Sequence, residues 1–341
     1  EARTDLAGLA HVWLRPKPGT LPTLLRGLAQ IILADGHANE EFVAQRTLGL
    51  ETFREAVADA TSEQVATVTG VRPDLLRRAA ATLATAGPAA ILYHRDLGTD
   101  VAGAAAVKTL YNLALLTGNL GRPGAGLYPL VTAANEQGAI DLGVQPGPRT
   151  PHSSNGHRSG LSGAEMIDAI RTGRLRALYV IGLDPLDELP DDKALRQGLA
   201  NLELLVVQGI LPGPTQELAT VVLPGQAFSE KDGTLTNLER RIQRLRPAML
   251  PPGEAWPDWR ILRDLANMLG ADWDYAQAQD VFAEIARVVP SHAGLTYGKI
   301  GLQGIQWPLR PEGTGAAVLY EDGESRWEFA PLELARTGAA R

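Results

Sequence analysis

Three short apolar runs, Ala177–Ile181, Leu202–Val207 and Thr220–Leu223, most constrain what this chain can fold into. Each is the length of one strand and has no polar residue alternating through it, apart from Glu203. A segment of helical spacing precedes each of them, at 163–172, 190–199 and near 214–219. Strands without polar alternation, regularly separated by helices, predict a parallel sheet covered on both faces. The first strand runs into Gly182-Leu-Asp-Pro-Leu186 at its carboxyl end, where open α/β sheets receive ligands. The same residues also suit an ordinary strand-to-helix turn, with glycine for positive φ and Asp184 as cap.

The amino-terminal part reads as mainly helical, and the chain reads as opening within a domain. His11–Leu14 predicts a strand, and Thr20 a cap for an amphipathic helix over 21–35. Asn39 starts another helix, and more follow at 50–59, 61–69 and 73–86. Thr61 with Gln64 resembles a capping box, and Pro73 sits where a first helical residue is expected. A strand at 89–93 precedes a long helix over 100–117. The glycine-rich stretch Gly118–Gly126 follows that helix, so it is a helix end running into a loop. A dinucleotide fingerprint would have to follow a strand. Residues 127–163 show no periodicity and predict a long loop. Asp232-Gly233 predicts a tight hairpin turn. Helices are expected at 258–269 and 278–288, and a weakly tethered tail from 311.

Composition removes several function classes. Net charge is −7 over 341 residues, which argues against a nucleic-acid partner. No apolar stretch reaches membrane-spanning length, and the opening Glu-Ala-Arg-Thr-Asp lacks the apolar run of a leader peptide. There is no cysteine, so no disulfide forms and no typical iron–sulfur cluster is held by this chain. The six histidines show no metal-ligand spacing; His152 and His157 sit in a Ser/Asn/Gly-rich loop. Asp184, Asp187, Glu188, Asp191 and Asp192 lack the spacing of a calcium loop and read as helix-start charge bias. The adjacent pair Arg240 and Arg241, with Asn237, could clamp a phosphate or pair with carboxylates at an interface.

Six ordered segments carry a resemblance. They are Arg3–Thr20, Tyr111–Gly124, Asn135–Gly143, Gly182–Pro185, Ala227–Gln243 and Gly304–Pro308. Together they resemble the molybdopterin oxidoreductase superfamily. That superfamily includes formate dehydrogenases and the large iron–sulfur subunit of bacterial NADH-quinone oxidoreductase, respiratory complex I. The resemblance implies an α/β fold of the formate dehydrogenase/DMSO reductase type, present as a fragment. It would have two Rossmann-like lobes with mostly parallel sheets. The first lobe is expected over 1–145 with a helical insertion at 21–86, the second over 146–310, and a tail over 311–341.

It also implies candidate cofactor-binding residues, Gly182, Asp184, Pro185, Asn237, Arg240 and Arg241, live or vestigial. Two departures bear on the branch. Where formate dehydrogenases of the superfamily place a substrate-orienting arginine, this chain has Val131, which can neither donate a hydrogen bond nor neutralise an anion. The family's glycine-rich turn is replaced by Tyr93–Gly98. These departures, with the Pro-rich segment 246–259, are similar to the large iron–sulfur subunit of complex I. That reading makes the chain a non-catalytic scaffold among the peripheral-arm subunits of complex I, at the cytoplasmic face of the cell membrane. Iron–sulfur clusters would then be bound upstream, and the chain itself would hold no cofactor. The alternative is part of a formate dehydrogenase that holds molybdopterin guanine dinucleotide.

Overall fold

The computed structural model describes residues 3–98, 101–144, 160–320 and 323–332. The chain forms two units. One comprises residues 1–132 together with 317–341, the other residues 133–316.

The first unit is built round helix Leu21–Ala34, whose Leu24, Leu25, Leu28, Ile31 and Ile32 are buried. Phe53, Val57, Val65, Leu76, Leu113 and Leu116 from neighbouring helices close over it. The i, i+3, i+4 spacing of the first set is what makes this helix central. Asn39 and Thr61 cap their helices through Phe42 N and Gln64 N. Thr20 does not cap: its hydroxyl donates back to Lys17 O at 2.6 Å, a local turn that competes with the helix start. Residues 11–14 form no strand.

Strand Ala90–His94 pairs in parallel with Gly126–Leu130. The second of these lies in the stretch expected to be loop. Gly126 and Pro129 hide it, because strand pairing here rests on the partner strand and not on alternation. The expected tail is tied down over its described part. Trp327 and Glu328 pair in parallel with Thr47 and Leu48. Phe329 stacks on Phe53 at 5.0 Å, and Asn112 exchanges two hydrogen bonds with the backbone of Ala330. Two aromatics in a polar, glycine-rich segment are enough to anchor it.

In the second unit the three predicted strands form one parallel sheet, with Leu204–Gly209 between Ala177–Ile181 and Val221–Pro224. Helices Gly163–Arg171 and Lys193–Ala200 cover one face, packing Ile170, Leu195 and Leu199 on Val180, Leu205 and Val207. The opposite face carries Tyr179, Ile181, Leu204 and Val221, each 37–45% exposed. Among the described residues this face is covered only at its carboxyl end, where Gln208 is buried against Asp258. A second, antiparallel sheet joins Gly233–Thr236, Arg241–Leu245 and Ile305–Gln306. Helices Asp258–Met268 and Ala278–Val288 lie where expected.

The unit begins at Ala133, earlier than the expected 146 boundary, because helix Glu136–Asp141 bonds to the hairpin and to Trp307. His152 and His157 lie outside the described residues. Among the described residues no helix is long and apolar enough to cross a membrane, and no cluster of His, Asp and Glu could hold a metal ion.

Candidate functional site

The carboxyl edge of the parallel sheet is floored by glycine at the end of every strand: Gly182, Gly209 and Gly225. The amide of Gly182 donates to Gln208 O, and that of Gly225 to Gly209 O, both at 2.9 Å. Gly182 takes φ of 68°, and no atom lies within 4 Å of where its Cβ would stand, so the backbone there is open to approach.

Asp184 does not face that opening as a free acid. Its carboxylate caps the short helix Pro185–Glu188 through Leu186 N at 3.0 Å and Asp187 N at 3.3 Å. It also accepts from Thr215 N at 3.2 Å and from the Thr215 hydroxyl. Burial opposes ionisation, but the Thr215 hydroxyl and the amides outweigh it and hold the carboxyl below the usual range. A Cβ on Gly213 would stand 2.1 Å from Asp184 Oδ2, so the 210–217 loop closes on this carboxylate only as glycine. A depression of about 520 Å³ borders the same loop, lined by Pro212, Gly213, Pro214, Gln216, Glu217 and Val222. Of the acidic run, Asp192 caps the next helix through Leu195 N and pairs with Arg171.

Sequence reasoning missed a polar chain at this edge. Gln208 is 1% exposed in an otherwise apolar strand. It accepts from the Tyr179 hydroxyl and donates to Asp258 Oδ1 at 2.6 Å, and Asp258 also pairs with Lys231. The one signal available is a glutamine where the strand should be apolar, since a buried amide must find partners.

Asn237, Arg240 and Arg241 are brought together elsewhere, and not at a turn over Asp232-Gly233. The hairpin joins Gly233–Thr236 to Arg241–Leu245, so its turn is Asn237–Arg240. Asn237 Oδ1 accepts from Glu239 N and Arg241 N, and Arg240 takes φ of 65°. An asparagine that folds back on its own backbone outcompetes Asp-Gly here. Asp232 instead accepts from Gly233 N and Arg244. Arg240 donates to Trp307 O and to Ala316 O at 3.3 Å, with its guanidinium 5.3 Å from the Trp307 ring. Arg241 donates to Gly304 O at 3.4 Å and Gln306 Oε1 at 3.2 Å.

The hairpin also receives the Asn135–Asp141 segment. Asn135, at φ 65°, accepts from Thr236 N at 2.8 Å. Asp141 accepts from Trp307 Nε1 at 3.0 Å and Gln137 Nε2 at 2.7 Å. Burial lifts the Asp141 carboxyl above its usual range, against the pull of those donors and of Arg240. Val131 is half-buried, directly after strand Gly126–Leu130.

The molybdopterin oxidoreductase family profile matches residues 1–268. The chain is 36% identical over 354 aligned positions to the F420-dependent formate dehydrogenase subunit alpha of Methanocaldococcus jannaschii, covering 97% of this chain and 52% of that protein. The F420-dependent formate dehydrogenase 2 subunit alpha of Methanococcus maripaludis is 34% identical, with the same coverage of 97% and 52%. The chain therefore spans about half the length of the curated relatives it matches. Among solved structures, acetylene hydratase from Pelobacter acetylenicus shares the fold. Its TM-score is 0.72 at 20% identity, over 96% of this chain and 50% of that one.

Proposed function

Since the chain belongs to the molybdopterin oxidoreductase family, we propose that it is part of the alpha subunit of a formate-dehydrogenase-type oxidoreductase. The observation that carries this is the 34–36% identity to formate dehydrogenase alpha subunits across 97% of the chain. These relatives support this reading over the respiratory-complex subunit expected from Val131.

When bound, a pterin-held molybdenum centre supplies the two-electron chemistry. The residues fit such a group unevenly. The open backbone at Gly182 leaves room for the flat nucleotide end of a pterin cofactor, whereas Gly209 and Gly225 are closed over by Gln216 and Asp258. Asp184 would shape that edge by fixing the 210–217 loop through Thr215, and Pro185 by starting the helix that Asp184 caps. Asn237, Arg240 and Arg241 do not fit a phosphate clamp, because their polar groups close the hairpin turn or reach carbonyls and Gln306. Val131 offers no charge to a carboxylate, so in this reading formate would be oriented by another group.

Val131 favours a second reading, a non-catalytic scaffold within the large iron–sulfur subunit of NADH-quinone oxidoreductase, with complex I peripheral-arm partners. It would lie at the inner face of the cell membrane, with its clusters outside this chain. The test is molybdenum and pterin content of the protein purified from its own cells, with formate-dependent dye reduction. Bound pterin with dye reduction is expected. A metal-free, pterin-free protein that co-purifies with NADH dehydrogenase subunits would establish the scaffold instead.

A further inference from the structure

Three sequence segments far apart in the chain meet at one point of the second unit. Asp141 ends helix Glu136–Asp141, Arg240 ends the hairpin turn, and Trp307 follows strand Ile305–Gln306. The Trp307 indole N–H bonds to Asp141, and its ring lies under the Arg240 guanidinium. Arg240 is fixed in turn by the carbonyls of Trp307 and Ala316. At the other end of the same helix, Asn135 is bonded to Thr236 N. Its amide lies against Gly138, where a Cβ would stand 2.2 Å from Asn135 Oδ1.

We propose that Asp141, Arg240 and Trp307 form a clasp that positions the Asn135–Asp141 segment, with Arg240 and Arg241 acting on protein groups and not on a cofactor phosphate. Arg240 is a positioning residue: its guanidinium lies over the Trp307 ring, and its charge lies near Asp141. The clasp stands on geometry within the unit. It rests on the proposed function only for what the positioned segment then faces.

The experiment is amide hydrogen exchange, read by mass spectrometry on the purified native protein and on Arg240→Ala, Arg240→Lys, Trp307→Phe and Arg241→Ala. In Arg240→Ala, exchange over residues 135–142 and at Thr236 is expected to rise by at least about tenfold, a local opening. Exchange in strands Ala177–Ile181 and Leu204–Gly209 should stay unchanged. Arg240→Lys should recover part of the protection, since it keeps the charge but loses the flat stacking. Trp307→Phe, which removes the N–H donor while keeping an aromatic ring, should raise exchange over 137–142. It decides the matter if Arg240→Ala does not fold.

Wild-type exchange over 135–142 in Arg240→Ala or, failing that, in Trp307→Phe overturns the clasp. So does a rise spread evenly into the parallel sheet. Pterin content is measured on the same samples. Where the wild type carries the nucleotide, Arg241→Ala should retain it, and its release would overturn the protein-facing assignment. A wild type without nucleotide counts against the proposed function and leaves the exchange result to decide the clasp.

Discussion

The indole N–H of Trp307 points at a carboxylate oxygen of Asp141 from 3.0 Å, across 166 residues of sequence. The carboxylate is half-buried, and burial sets the direction of its titration. A carboxyl raised in the folded state stabilises the fold while protonated, and that contribution is lost as pH rises through the folded value. Asp141→Asn has no such dependence. Urea midpoints of wild type and variant, measured between about pH 4 and pH 7, should shift steadily in favour of the variant as pH rises. A constant difference over that range would refute the burial argument.

Gly138→Ala should be costly. The added methyl would meet the Asn135 amide, and the helix cannot retreat without releasing Asn135 from Thr236. Overpacking of this kind costs about 1–3 kcal/mol. Denaturant unfolding checks the figure. Gly163→Ala, where nothing lies within 4 Å, is the control and should be near neutral.

Thr215→Val removes a hydroxyl donor from Asp184 in a site where Thr215 is fully buried. Hydrogen bonds to charged groups contribute roughly 1.5–3 kcal/mol, and the half-buried carboxylate should place the loss toward the lower end. The carboxyl is depressed in the folded state, so its contribution is present above the unfolded value and lost as pH falls through the folded one. Carbon-detected titration should show the Asp184 midpoint moving upward in the variant.

Phe329→Ala should destabilise the first unit by roughly 3–5 kcal/mol, the usual range for a buried phenylalanine. Exchange should accelerate in helix Leu50–Val57, against which the ring stacks through Phe53, while the parallel sheet of the second unit keeps its protection.

The parallel sheet is legible in the sequence because its strands are mainly apolar runs of strand length, without polar alternation. Helix Leu21–Ala34 is legible because its leucines and isoleucines repeat at helical spacing. Gly126–Leu130 is not, since a strand containing glycine and proline is defined by its neighbour. The hairpin is legible, but its turn is not. Asp232-Gly233 has the residue types of a tight turn, yet Asn237 supplies two bonds to its own backbone that a sequence pattern does not reveal. The residues of the clasp each lie within family-like segments, but a contact between Asp141 and Trp307 has no local signature. Asn-x-x-Gly at 135–138 does carry one, a glycine spaced to admit the asparagine amide.

The return of the chain to its first unit sets an order on synthesis. Arg46 bonds to Ser325 O, 279 residues later, and Phe53 waits for Phe329. All of residues 133–316 must be translated in between. A nascent chain therefore displays the unfinished core around Phe53 while the intervening unit emerges with every strand of its own sheets already in hand. Domains that fold as they emerge favour the later-made unit here. Truncation anywhere before Trp327 leaves the Phe53 core of the first unit without its Phe329 cover.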